Sequence, residues 1–368
     1  MKTHSTSPKI HAVDLFCGVG GLTHGLRLLG IDVRLGVDID PACQYPYTRN
    51  NNAEFLLKSV EKITGDEILP FYGKSGLKLL AGCAPCQTFS TYNQKACDSD
   101  KRWWLLRHFS RLIDEVNPDL VTMENVPRLA DQNVFAEFIE HLEKKKKYQV
   151  FRGVVDCSEY GVPQQRNRLV TIASRLGKVR LLSPEEFGRK PKTVEEAIGS
   201  LPPLEAGKVD PYDSLHQCAS LSEKNLRRIQ ASKPGGTWQD WPEHLVTECH
   251  KKRTGTTYKS VYGRMRADMP APTMTTQFYG FGSGRFGHPT QDRALSLREG
   301  AMLQSFPIDY KFVPEGKKVI RKVIGRLIGN AVPVTLGEVI GRSLVEHVMQ
   351  SARNRTSNLD ENDLIGKS

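Results

Sequence analysis

The run from Ile10 to Phe16 constrains this chain more than any other stretch. It is mostly apolar, short enough for a buried strand, and breaks at once into Phe16-Cys17-Gly18-Val19-Gly20-Gly21. A helical pattern follows, with Leu22, Leu26 and Leu29 on one face and Gly30 as its stop. Strand, glycine turn and helix open an α/β sheet and form a nucleotide-binding geometry. Glycines let a backbone approach a ligand, and a helix N-terminus favours negative charge. The turn is not the dinucleotide fingerprint, because Thr23 stands where a third glycine belongs.

More strands follow the same plan. Val33 to Val37 reads as the second and ends in Asp38-Ile39-Asp40. An acid there suits ribose hydroxyls, with a solvated loop acid as the alternative. Phe55 to Leu57 and Leu77 to Ala81 read as the third and fourth. The fourth stops at Gly82 and enters Cys83-Ala84-Pro85-Cys86-Gln87. A cysteine past a strand end stands where open α/β folds bind ligands. Cys83 and Cys86 form a C-x-x-C, but no second Cys or His pair completes a zinc site, and no metal is expected. Pro85 and the polar residues beyond Cys86 place redox chemistry below catalysis, and Cys83 reads as buried and inert.

Residues 88–101 are polar and aperiodic, suited to a loop over the cysteine. Trp103 to Val116 reads as a helix, Leu120 to Met123 as a strand ending in Glu124-Asn125-Val126-Pro127, and Phe135 to Lys147 as another helix. Val150 to Val155 and Leu169 to Ala173 read as strands. Between them lies Gln164-Gln165-Arg166-Asn167-Arg168, whose arginines at i and i+2 point the same way if the segment is extended. After residue 175 periodicity gives way to prolines, glycines and aromatics until about residue 290. There Lys251, Lys252, Arg253, Lys259, Arg264 and Arg266 interleave with Tyr258 and Tyr262. The chain of 368 residues carries a formal net charge of +11, which fits an anionic partner. Scattered cysteines suggest a reducing compartment, and no secretion or membrane crossing is expected.

Taken together, in order and over nearly the whole chain, these stretches resemble the DNA (cytosine-5)-methyltransferase family of prokaryotic type. The stretches are Asp14 to Gly21, Pro85-Cys86-Gln87, Glu124-Asn125-Val126, Gln164 to Arg168, Arg293 to Glu299, and Gly329-Asn330-Ala331-Val332-Pro333. The resemblance implies an α/β, Rossmann-like methyltransferase fold with a smaller target-recognition domain. It implies S-adenosylmethionine as methyl donor, with S-adenosylhomocysteine as product. By carry-over, Cys86 is the nucleophile and Glu124 the acid, with Arg166 and Arg168 orienting them. Phe16, Gly18, Gly20, Gly21, Asp38, Ile39 and Asn330 hold the cofactor, and Pro85, Gln87, Ser90, Asn125 and Gln164 contact substrate. Ser59 stands where the family usually has an aspartate for the adenine amino group.

The division expected is a catalytic part over 1–175, target recognition over 176–290, a return to the catalytic part over 291–350, and a flexible tail over 351–368. The implied partner is double-stranded DNA, with a restriction endonuclease acting separately. The protein is expected to be a cytoplasmic monomer, associated with the nucleoid when bound to DNA. Three rivals stay open. A tRNA cytosine methyltransferase on the same fold is disfavoured by the long recognition stretch. A dinucleotide-dependent oxidoreductase is disfavoured by the missing third glycine. A non-catalytic DNA-binding protein is disfavoured by intact Cys86, Glu124, Arg166 and Arg168.

Overall fold

The computed structural model describes residues 9–85, 104–253 and 255–365, with side chains to residue 354. Two compact units emerge. The first comprises residues 1–155, 167–187 and 336–368; the second comprises 156–166 and 188–335. The second unit thus takes in 188–290 of the stretch read from sequence as target recognition, together with 156–166 and 291–335, while 176–187 falls in the first unit.

The described strands are β1 (Ile10–Leu15), β2 (Asp32–Asp38), β3 (Glu54–Leu57), β4 (Leu77–Gly82), β5 (Leu120–Asn125), β6 (Gln149–Asp156) and β7 (Asn167–Ser174). They form one sheet in the order β3-β2-β1-β4-β5-β7-β6. β1 pairs parallel with β2 and β4, β2 with β3, and β4 with β5, whereas β7 runs antiparallel to β5. This is the mixed, mostly parallel sheet of a Rossmann-like methyltransferase fold. Its strand order reverses between β1 and β4, and such a switch point opens a crevice at the carboxyl ends of the strands.

Register aligns those ends. Leu15 stands opposite Val37 and Gly82, and Gly82 opposite Met123. The residues that follow, Phe16, Asp38, Cys83 and Glu124, thus share one edge of the sheet. Both faces are covered, which explains why β1 and β5 are buried along their whole length. The helix Trp104–Val116 contributes Leu106, Phe109, Leu112, Ile113 and Val116 to the core, at the spacing of one helical face. Phe109 and Phe138 pack with ring centroids 5.8 Å apart.

Two elements differ from the sequence expectation. The helix expected over Phe135 to Lys147 is an α-helix over Asn133–Glu140 followed by a π turn over His141–Lys145. The last helix runs Val334–Ile365, through most of the stretch expected as a tail. No glycine or proline interrupts residues 351–365, and Gly366 follows. Its start packs on the helix Gly21–Leu28 (a Cβ on Gly337 would come within 2.9 Å of the Leu22 carbonyl oxygen). The stretch Arg321–Asn354 is long and apolar enough to cross a membrane, yet 78% of its apolar window is buried inside the protein, as in a core helix.

Candidate active site

The glycine turn after β1 holds an unusual backbone. Phe16, Gly18 and Gly20 have φ of +57°, +52° and +89°. An aromatic residue in the left-handed region costs roughly 1–2 kcal/mol, so its ring is held at this strand end against a conformational preference. The Gly18 N–H donates to Asp38 Oδ2 at 2.9 Å, and the Asp40 N–H to Asp38 Oδ1 at 2.9 Å. Burial pushes the Asp38 carboxyl up, opposed by these two N–H donors. Ile39 beside it is 69% exposed.

These residues fit an adenosyl group: a partly buried ring, an exposed aliphatic side chain, a carboxyl able to accept from hydroxyls, and a turn in which a Cβ at Gly18 would meet nothing within 4 Å. Gly21 begins the following helix. Ser59 is half-buried and starts a turn, its hydroxyl oxygen accepting from the Glu61 N–H at 3.3 Å. Asn330 belongs to the second unit, exposed at the end of the helix Arg321–Asn330.

Beneath the turn lies an acid that sequence reasoning left without a role. Asp14 is 1% exposed, accepts from the Thr23 hydroxyl at 2.6 Å, and has no partner at Oδ1. Desolvation pushes its carboxyl up to about 7. The available signal was an acidic residue inside an otherwise apolar strand.

The second cluster sits at the ends of β4 and β5. Glu124 is 2% exposed. The Arg168 Nε lies 2.7 Å from Glu124 Oε1, close enough for an ion pair although not aligned as a hydrogen bond. Antiparallel pairing of Asn125 with Leu169 explains the meeting, since it sets Arg168 beside the end of β5. Asn125 Nδ2 donates to the Ala84 carbonyl at 3.0 Å and so ties the strand end to the loop that leads into Pro85. Pro85 is exposed. Cys86, Gln87 and Ser90, and the loop expected over 88–101, lie outside the described residues.

Cys83 differs from its expectation. It is half-buried, not buried, and its thiol donates to Glu124 Oε2 at 2.8 Å. The strand end turns its side chain toward β5, a proximity that a linear reading of C-x-x-C does not reveal.

Two expected site residues are buried and hydrogen-bonded within the second unit. Gln164 is fully buried. Its amide donates to Leu303 O and Gln304 Oε1, each at 3.0 Å, and accepts from the Met274 N–H at 2.7 Å and Arg166 Nη1 at 3.3 Å. Both donors and both lone pairs are filled within the protein. Arg166 is 4% exposed, and its Nη atoms also donate to the carbonyls of Met274, Gly329 and Ala331. The two arginines, expected to act together, have different partners, and it is Arg168 that reaches the glutamate.

The second unit has its own core, in which Ile229, Trp238, Trp241, Leu245 and Phe281 pack together. Trp238 and His250 stack 4.4 Å apart, and the Arg228 guanidinium lies 5.3 Å from the Trp241 ring centroid. Arg264, expected on a nucleic-acid face, is buried and donates to Ile229 O at 2.8 Å and Asp292 Oδ1 at 2.6 Å. Lys251, Lys252, Arg253, Tyr258, Lys259 and Arg285 are exposed. Among the described residues no cluster of three or more His, Cys, Asp or Glu side chains could hold a metal ion.

The family model for C-5 cytosine-specific DNA methylase matches residues 10–346. The chain is 51% identical to the Type II methylase M.HgiDII of Herpetosiphon aurantiacus, over 90% of this chain and 94% of that protein. It is 33% identical to the Type II methyltransferase M1.BsuMI of Bacillus subtilis, over 92% of this chain and 81% of that one. Among solved structures, a prophage-encoded E. coli protein described as a DNA modification methyltransferase superposes with a TM-score of 0.70 at 22% identity, covering 92% of this chain and 99% of that one. The Entamoeba histolytica methyltransferase EhMeth superposes with a TM-score of 0.61 at 16% identity, covering 94% and 99%. At these identities the superpositions bear on the fold.

Proposed function

This chain belongs to the C-5 cytosine-specific DNA methylase family and is a DNA (cytosine-5-)-methyltransferase, and from that premise we propose that it methylates a flipped-out cytosine in a specific duplex sequence through a covalent adduct with Cys86. The observation that carries the reading is the buried Glu124 carboxyl at the end of β5, beside Arg168 and level with the strand end that leads into Pro85 and Cys86.

Carbon 5 of cytosine is a poor nucleophile. A thiolate added to carbon 6 makes it enamine-like, and cysteine is the most nucleophilic side chain near neutral pH. Negative charge moves onto the ring as that bond forms. A carboxyl at ring nitrogen 3 relieves it by hydrogen bonding or proton transfer, and this is the role of Glu124. Arg168 keeps the carboxyl in place. When bound, S-adenosylmethionine supplies an electrophilic methyl group. Phe16, Gly18, Gly20, Gly21, Asp38 and Ile39 would hold it, with Ser59 at the adenine edge. Loss of the proton from carbon 5 then lets the thiolate leave. A base stacked in a duplex cannot reach such a pocket, so it must first be extruded.

The second unit supplies recognition, through its exposed lysines and Arg285, and binding weakens with salt as counterions are recaptured. The relatives named as Type II enzymes support a cognate endonuclease that acts separately, and action on DNA in the cytoplasm. Bisulfite sequencing of DNA from cells expressing the chain tests the reading. One short sequence should be protected wherever it occurs, and with Cys86→Ser none should be. Unmodified DNA alongside methylated RNA would reject it.

A further inference from the structure

The mechanism above gives no task to Cys83, yet its thiol touches the acid. The residue follows β4 directly and its N–H donates to the Leu15 carbonyl at 3.2 Å, so its backbone continues the sheet. Its sulfur lies 2.8 Å from Glu124 Oε2, while the Arg168 Nε lies 2.7 Å from Oε1. The carboxyl, 2% exposed, thus has one oxygen against a permanent cation and the other against a neutral thiol.

That asymmetry decides where a proton sits. A guanidinium has no acceptor and repels a proton on the oxygen it faces. A proton on Glu124 therefore belongs on Oε2. The thiol donates its own hydrogen to Oε2, and that oxygen keeps a second lone pair for the proton shared with ring nitrogen 3.

We propose that Cys83 is a positioning residue for Glu124, its thiol bond to Oε2 holding the carboxyl in place for ring nitrogen 3. The inference rests on the reading of Glu124 as the group that serves ring nitrogen 3. It also replaces the expectation that Cys83 is inert.

The test measures kcat and KM of the full-length protein against pH for wild type, Cys83→Ser, Cys83→Ala and Cys83→Val. Serine keeps a donor and acceptor; alanine and valine remove both, and valine keeps the bulk should alanine fail to fold. Loss of a bond to a charged partner is expected to lower kcat about tenfold in the alanine and valine variants, with KM for DNA unchanged. Serine should restore the rate. Wild-type profiles for alanine and valine, or a serine variant as impaired as they are, would overturn the proposal. The role of Glu124 is tested apart from this, by Glu124→Gln. Full activity in that variant rejects the reading itself, whereas its loss beside unaltered Cys83 variants rejects only the positioning role.

Discussion

Among the described residues, each unit holds a buried glutamate beside an arginine, and the two pairs are built differently. In the second unit, Arg293 and Glu299 are 0% and 1% exposed. Arg293 Nη1 and Nη2 donate to the two carboxylate oxygens at 2.8 and 2.6 Å, and the Ser296 N–H adds a bond at 2.7 Å. Burial alone would raise the Glu299 carboxyl, but the bonds and charge of Arg293 hold it below the usual range. Glu299 also closes a capping box with Ser296 at the start of the helix Leu297–Leu303. In the first unit, Glu124 meets Arg168 through one oxygen without hydrogen-bond alignment, and its other oxygen meets a thiol. Glu299 is locked by matched donors on both oxygens, whereas Glu124 meets a cation through one oxygen and a weak thiol donor through the other. The first arrangement builds the fold, and the second suits chemistry.

The sharpest way to break this comparison is to neutralise each acid at constant size. Glu124→Gln should lower methylation by about 10²- to 10⁴-fold, the usual worth of a positioned acid or base. Its melting transition should move less than that of Glu299→Gln. The latter strands the fully buried Arg293 and should cost about 3–5 kcal/mol, read from the denaturant midpoint. If Glu299→Gln proved the milder change in stability, the distinction between the pairs would fail.

A third buried carboxyl sharpens it further. No cation among the described residues offsets the burial of Asp14, which lifts it to about 7. The native state therefore holds a proton that the unfolded chain has released. The stability this contributes is fully present below the ordinary aspartate range, near pH 4, and is lost as pH rises toward 7. Wild type measured against Asp14→Asn should lose up to a few kcal/mol over that interval and nothing more above it. A difference independent of pH would mean that Asp14 is ionised in the folded protein.

The fold is readable in the sequence because strands buried on both faces announce themselves as apolar runs, and because chemical groups follow directly after them. Phe16, Asp38, Cys83 and Glu124 are visible as strand-end residues, and register alone brings them to one edge. What stays hidden depends on partners far along the chain. Gln164 is filled by Leu303 and Gln304, and Arg264 by Ile229 and Asp292; no local pattern separates them from surface groups. The contact between Cys83 and Glu124 crosses 41 positions, and the spacing of Cys83 to Cys86 gives no hint of it. The last helix outran its expected end because polar composition was read as fraying where nothing breaks the helix.

The central claim is covalent methyl transfer through Cys86, and a duplex with fluorine at carbon 5 of the target cytosine tests it most directly. Cys86 can still add to carbon 6 and the methyl group can still transfer, but the last step requires the carbon 5 substituent to leave as a cation. A proton does so; fluorine cannot. The account predicts a protein–DNA band that survives heating on a denaturing gel, formed only with S-adenosylmethionine present and Cys86 intact. An otherwise active enzyme that leaves no such band, or a Cys86→Ser variant that still forms one, would contradict it.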